Sequence, residues 1–216
     1  MHDPRSGTAL IEDRHFATQV FSSQIPAQSC ALLNAGLLFE IKTLFEADTR
    51  GLERSNLRAL GGWHSAVDLQ DNPAFAPLVE HVEGFAAAVS THNGYSTRHR
   101  LAITSMWAIV NAPGSYNQSH LHPGSHWSGA YYVQAPEGSG RIQFTDPRAA
   151  AMMQPMHYEG ERPDIARPQV SYEPVPGRML LFPSWLMHSV APNLALSKDG
   201  SAERVVISFN LSQRPL

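Results

Sequence analysis

The chain has 216 residues, 43% hydrophobic and 16% charged, a globular composition long enough to enclose a sizeable core. Lys+Arg 16 against Asp+Glu 19 give a formal net charge of −3, which disfavours general nucleic-acid or anionic-membrane binding. The single cysteine, Cys30, excludes an intrachain disulfide and any multi-cysteine metal site, so metal chemistry would fall to the 11 histidines and to carboxylates.

The stretch Met1–Asp13 carries Asp3, Arg5, Glu12 and Asp13 and lacks a signal peptide's apolar core. No apolar run is long enough to span a bilayer, so a soluble cytoplasmic protein is expected. Leu32, Leu33, Leu37, Ile41, Leu44 and Phe45 recur at helical spacing and predict an amphipathic helix over Gln28–Asp48. Thr49–Asn72, with Gly51, Gly61 and Gly62, reads as loop. Phe75, Leu78, Val79, Val82, Phe85 and Val89 predict a second helix over Pro73–Thr91, with Pro73 in its first turn and Gly94 beyond its end.

From Arg100 the pattern changes to short strands separated by Gly, Pro and Asn. They are Leu101–Asn111, Asn117–His122, Ser128–Gln134, Arg141–Thr145, Gln169–Glu173, Met179–Phe182, a piece around His188, and Arg204–Asn210. The predicted fold is α+β and mainly β: a double-stranded β-helix (a jelly roll, cupin-like) with N-terminal helices packed on one sheet. One domain over residues 1–216 is expected, mainly helical over 1–98 and jelly roll over 99–212. The long irregular segment Asp146–Arg167, with Met152, Met153, Met156, His157 and Tyr158, is expected to form a lid over a pocket.

The chemistry concentrates in Asn117-Gln-Ser-His120-Leu-His122-Pro-Gly-Ser-His126. On an extended chain, His120 and His122 point to one face and can meet one ion. His188, several strands later, is the candidate third ligand, giving a facial triad with open positions that suits non-heme Fe(II). In the last strand Arg204, Val206, Ser208 and Asn210 share one face, and Val205, Ile207 and Phe209 the other. An arginine facing a barrel interior needs an anion, such as the far carboxylate of a dicarboxylate. Tyr131 or Tyr132 can add a hydroxyl donor. His126 is expected to line the pocket, and His64 is a candidate substrate contact. Trp107 and Trp185 are expected in the core.

In order, Gly62-Trp63-His64-Ser65, Trp107-Ala-Ile-Val-Asn111, Asn117-x-x-His120-x-His122-Pro, Ser128-Gly-Ala-Tyr-Tyr-Val133, Gly140-x-Ile-x-Phe-x-Asp146-Pro-Arg148, Gly177-x-Met-Leu-Leu-Phe-Pro-Ser-Trp-Leu-x-His188 and Arg204-x-x-Ile-Ser-Phe-Asn210 form a specific set. Over roughly residues 60–212, they resemble the 2-oxoglutarate/Fe(II)-dependent dioxygenase superfamily in its prolyl-hydroxylase-like branch, and within it a bacterial and phage group of 2-oxoglutarate oxygenases.

The resemblance implies an enzyme that hydroxylates an unknown substrate, with Fe(II) on His120, His122 and His188. It implies 2-oxoglutarate held by Arg204, with Tyr131, Ser208 and Asn117 beside it. The sequence departs from the superfamily at His122, where the usual residue is a carboxylate; Asp146 is the alternative source of one. Two other functions fit the same residues: a three-His cupin-type dioxygenase without 2-oxoglutarate, and a non-enzymatic metal- or ligand-binding jelly roll. The expected substrate is a small molecule or a protein side chain, with neither nucleic acid nor membrane as partner, and the helices offer a possible homodimer face.

Overall fold

The computed structural model describes residues 11–13, 15–48, 50–54, 62–148, 153, 156–196 and 201–216. Helix α1 spans Ala27–Ala47 and buries Cys30, Asn34, Leu37 and Ile41, a stripe spaced by three and four that faces a sheet. Asn72 ends the following segment by accepting from the Ala74 N–H across a 3-10 turn at Pro73–Phe75. Helix α3, Ala76–His92, continues from that turn and buries Leu78, Val82, Ala86 and Val89. Both long helices thus form close to their predicted bounds.

Between them, Thr49–Asn72 is more than loop. It holds a short helix α2 (Gly51–Arg54), a two-residue strand β2 (Trp63–His64) and a 3-10 turn at Leu69–Asp71. Residues 55–61 of this stretch lie outside the described residues. Two residues are too few for periodicity to reveal a strand; β2 exists because Trp63 is fully buried and its indole N–H donates to the Asp48 carbonyl at 3.1 Å.

Among the described residues, ten strands make two antiparallel sheets. They are β1 (Phe21–Gln24), β2, β3 (His99–Asn111), β4 (Asn117–His120), β5 (Trp127–Gln134), β6 (Ile142–Thr145), β7 (Gln169–Tyr172), β8 (Arg178–Pro183), β9 (His188–Val190) and β10 (Arg204–Pro215). The larger sheet has the order β1-β8-β5-β10-β3-β2 and the smaller β4-β9-β6-β7. This is the jelly roll that the strand pattern predicts. Strand β1 escaped the sequence reading because it is mostly exposed and carries no alternation.

Two apolar layers hold the architecture. On the helix side of the larger sheet, Tyr131, Val133, Val205, Ile207, Phe209 and Leu211 pack against α1 and α3. Between the sheets, Ala130, Tyr132, Leu180, Phe182 and Val206 meet Ile142, Phe144 and Leu186. Strand β5 lies between β8 and β10 and is buried on both faces. Gly129 sits at its closest approach: a Cβ there would lie 2.3 Å from the Phe209 ring and 2.7 Å from the Leu180 carbonyl oxygen. Among the described residues, no helix is long and apolar enough to cross a membrane.

Candidate metal and co-substrate site

Strands β4 and β9 set the first two histidines opposite each other. His120 pairs with His188 in the ladder, after an irregularity that follows the Asn117–Val190 pair. Their rings approach to 4.3 Å between centroids. His122 lies just past the end of β4, where its N–H donates to the Ser184 carbonyl at 2.9 Å. This anchors the turn and brings the His122 ring within 5.2 Å of His120 and 5.1 Å of His188. One ligating atom from each of the three lies within 4.8 Å of the others.

The hydrogen bonds fix which nitrogens are free. A carbonyl oxygen only accepts, so each Nδ1 that meets one must carry the proton. His120 Nδ1 donates to the Gln118 carbonyl at 2.7 Å, and His188 Nδ1 to the Leu186 carbonyl at 2.9 Å. His122 Nδ1 donates to Asn210 Oδ1 at 2.8 Å. Asn210 also receives Ser128 Oγ at 2.7 Å and turns its Nδ2 toward Ser105 Oγ at 3.1 Å, which sets the amide's orientation. Ser128 Oγ lies 2.9 Å from Ser184 Oγ, so the network closes on the segment that anchors His122. All three imidazoles therefore present a bare Nε2, oriented by a partner on the other nitrogen, as metal-ligating histidines do.

Burial disfavours the charged form of His188 and His122. It pushes His188 down to about 3, against the proton-favouring bond to Leu186. It also lowers His122, against its bond to Asn210. Imidazole nitrogen donors in this number suit Fe(II), so the residues present fit the ion. Among the described residues, no carboxylate joins the group. Asp146 is engaged elsewhere: Arg148 donates to both of its oxygens, at 3.0 and 2.8 Å, and holds its carboxyl below the usual range.

The triad opens into a cavity of about 350 Å³ between the sheets. Along β10, Arg204, Val206 and Ser208 line it, while Asn210 sits behind His122. Arg204 is 1% exposed. Its Nη1 donates to the carbonyls of Ser139, Gly140 at 3.2 Å and Ala191 at 3.4 Å. That cradle depends on Gly140, whose φ is +90° and whose Cβ would lie 2.2 Å from the Ala191 oxygen. Arg204 Nη2 is buried without a hydrogen-bond partner. Burial lowers the guanidinium to about 10, so it stays charged at neutral pH. A buried, charged donor without a partner, on a residue that lines the cavity, fits a carboxylate. Ala191, which accepts from this guanidinium, stands three residues beyond His188, and Arg204 and the three histidines line the same cavity.

The other expected positions divide. Asn117 and Ser208 line the cavity, and Asn111 Nδ2 donates to Asn117 Oδ1 at 3.2 Å. Tyr131 does not line it: its side chain crosses to the helix side, where its hydroxyl donates to Asn34 Oδ1 at 2.6 Å. Tyr132 is the cavity tyrosine, buried beside Arg204 with its phenol pushed up to about 12 by burial. Because every residue of Trp127–Val133 is buried, composition carried no alternation to separate the two. His126 also stands apart, its Nδ1 accepting from the Gln213 N–H at 3.3 Å. Trp107, expected in the core, lines the cavity, and Trp185 is 55% exposed.

The segment Asp146–Arg167 does not cover the triad cavity with its described residues. Asp146, Arg148, Asp164 and Arg167 border a separate cavity on the far side of Phe144 and Leu186. Residues 149–152 and 154–155 lie outside the described residues. Sequence reading missed Ser128, Ser184 and Asn210 as supports of His122. Only the parity of Asn210 with Arg204 hinted at one of them.

Residues 105–210, which contain the triad and Arg204, match the family described as "Putative 2OG-Fe(II) oxygenase". The fold recurs in a prolyl-4-hydroxylase from Pseudomonas putida, at 14% identity over 89% of this chain and 92% of that one, with a TM-score of 0.57. It recurs in a prolyl hydroxylase from Trichoplax adhaerens, solved with a hypoxia inducible factor peptide, at 16% identity, 89% and 83% coverage and a TM-score of 0.58. A third likeness is HygX from Streptomyces hygroscopicus, solved with nickel, 2-oxoglutarate and hygromycin B, at 13% identity, 90% and 83% coverage and a TM-score of 0.56. No curated protein matches the chain. Over residues 105–210 the chain matches the 2-oxoglutarate/Fe(II)-dependent oxygenases. It is an enzyme of that class, with Fe(II) and 2-oxoglutarate as cofactor and co-substrate.

Proposed function

We propose that the protein hydroxylates a C–H bond of a small molecule or a protein side chain, with His120, His122 and His188 holding Fe(II) and Arg204 holding the far carboxylate of 2-oxoglutarate. The observation that carries these assignments is one cavity with three bare imidazole nitrogens at one end and an unpartnered buried guanidinium nitrogen further in. Bound together there, the ion and the co-substrate supply oxygen activation coupled to oxidative decarboxylation of 2-oxoglutarate to succinate.

The chain's own part is positioning and dryness. The Nδ1 bonds to Gln118, Leu186 and Asn210 hold each ring in one tautomer and one direction. Arg204 fixes the co-substrate's reach, and Tyr132 and Ser208 border its path. Ile142, Phe182 and Val190 wall the cavity with apolar surface that excludes water. A cytoplasmic location goes with these assignments; the free, buried thiol of Cys30 supports it.

The test is succinate formation from 2-oxoglutarate with Fe(II) and a candidate substrate, expected to be lost in His188→Ala and impaired in Arg204→Ala. Full turnover in both variants would remove the assignment. The all-histidine set favours one rival, a three-His dioxygenase without 2-oxoglutarate. Calorimetry separates the two, since the rival predicts no 2-oxoglutarate binding to the metal-loaded protein.

A further inference from the structure

The cavity reaches the edges of both sheets: β2 ends the larger sheet, β4 ends the smaller, and residues of both line the wall. On the β2 side stands His64. It pairs with Ile109 in the β2–β3 ladder, and its ring stacks on Trp107 at 5.7 Å and 11°. Trp107 in turn lies 5.7 Å from the His122 ring. His64 is therefore one aromatic ring removed from the triad, on the wall and at the metal end of the cavity. Arg204, on β10, lies further along the ladder, opposite Asn111 of β3, whereas Trp107 lies opposite Ser208.

The hydrogen-bond chemistry of His64 is settled locally. Its Nδ1 meets the Ser65 carbonyl at 2.7 Å and so carries the proton. Its main-chain carbonyl accepts from Arg54 Nε at 3.1 Å, which holds the strand end in place. Burial, with the Arg54 charge adding to it, keeps the imidazole below its ordinary pKa. What remains is one lone pair, on Nε2, in a half-buried ring that lines the cavity. Its neighbour on that wall is Trp107, and among the described residues the lining has no Asp, Glu or Lys, with Arg204 its single permanent charge. Among the described lining residues a cation would find no counter-charge, and an anion would find its partner at the co-substrate end, because Arg54 beside His64 is already paired with Asp48.

We propose that His64 is a substrate-binding residue of the oxygenase site: its Nε2 accepts a hydrogen bond from an O–H or N–H of a neutral substrate that lies along the Trp107 wall, next to the triad. The assignment rests on the oxygenase reading above and names the class of its substrate, an uncharged molecule or side chain with a hydrogen-bond donor beside an apolar or planar part.

The probes are benzyl alcohol, its methyl ether, benzylammonium and benzoate, titrated calorimetrically into the nickel- and 2-oxoglutarate-loaded protein. Wild type is expected to favour the alcohol over the ether by roughly three- to tenfold, the worth of one neutral hydrogen bond, and over both ions. His64→Phe keeps a ring against Trp107 and removes the acceptor; it should bind alcohol and ether equally while its 2-oxoglutarate affinity stays that of wild type. His64→Gln places an amide oxygen near the Nε2 position and should restore the preference. A preference that survives in His64→Phe, an ether bound as well as the alcohol by wild type, tighter binding of either ion, or no probe binding at all would overturn the proposal. Failure of wild type to take up nickel and 2-oxoglutarate would overturn the oxygenase reading itself, and this proposal with it.

Discussion

Replacing Arg204 with Met tests the co-substrate assignment most sharply, because Met fills much of the same volume and removes only the charge and the donors. The guanidinium is 1% exposed, and its Nη2 has no partner, so an arriving carboxylate would meet an uncompensated cation. A hydrogen bond to a charged group contributes about 1.5–3 kcal/mol, so the dissociation constant of 2-oxoglutarate should rise about ten- to 150-fold. Calorimetry on the nickel-loaded protein measures it. A second ligand, 2-oxobutyrate, keeps the 2-oxo acid and lacks the far carboxylate, so its affinity should be equal in wild type and variant. The two ligands and two proteins form a cycle that isolates the carboxylate–Arg204 term from general damage. The substitution also leaves the Ser139, Gly140 and Ala191 carbonyls without this donor, so a modest fall in Tm is expected. Arg204→Lys keeps a charge without the fork and should fall between the two. Equal loss of both ligands, or unchanged 2-oxoglutarate affinity in a folded Arg204→Met protein, would refute the anchoring role.

His188→Ala removes one of the three proposed ligands and should weaken Fe(II) or Ni(II) binding by orders of magnitude, checked by metal analysis after dialysis. Asn210→Ala frees His122 Nδ1 and its orientation; a 10- to 100-fold loss of metal affinity is expected, roughly the effect of losing an outer hydrogen-bond partner, read by competition with a chelator. The apoprotein should lose stability on acidification. His188 is held near 3 when folded and titrates near 6.5 when unfolded, so below about pH 6.5 the unfolded chain binds the extra proton. That stabilisation is complete above pH 6.5 and drains as pH falls toward 3; Tm across this range should drop less steeply in His188→Gln. Gly129→Ala forces a methyl group into the Phe209 ring and the Leu180 carbonyl and should cost about 1–3 kcal/mol, or about 2–4 °C in Tm for each kcal/mol, by thermal denaturation.

Much of this protein was determined by sequence alone, wherever the signal was local. Helical spacing located α1 and α3, because one face of each is apolar and periodic. Alternation in Arg204–Asn210 assigned the cavity face of β10 before any neighbour was known, since successive side chains on a strand must point oppositely. The His120–His122 pair and the distant His188 were legible as a cluster by residue type and spacing. Tertiary structure decided what depends on pairing and register. The His120–His188 ladder pair made the triad, and the Ser184 carbonyl placed His122 within it. The choice of Tyr132 over Tyr131 belongs to a central strand buried on both faces, where composition has no polarity to read. Asp146 was removed from the site by Arg148, two residues along the chain. His64 and Trp107 became cavity wall only when a two-residue strand joined the sheet edge, a pairing too short for any periodicity to announce.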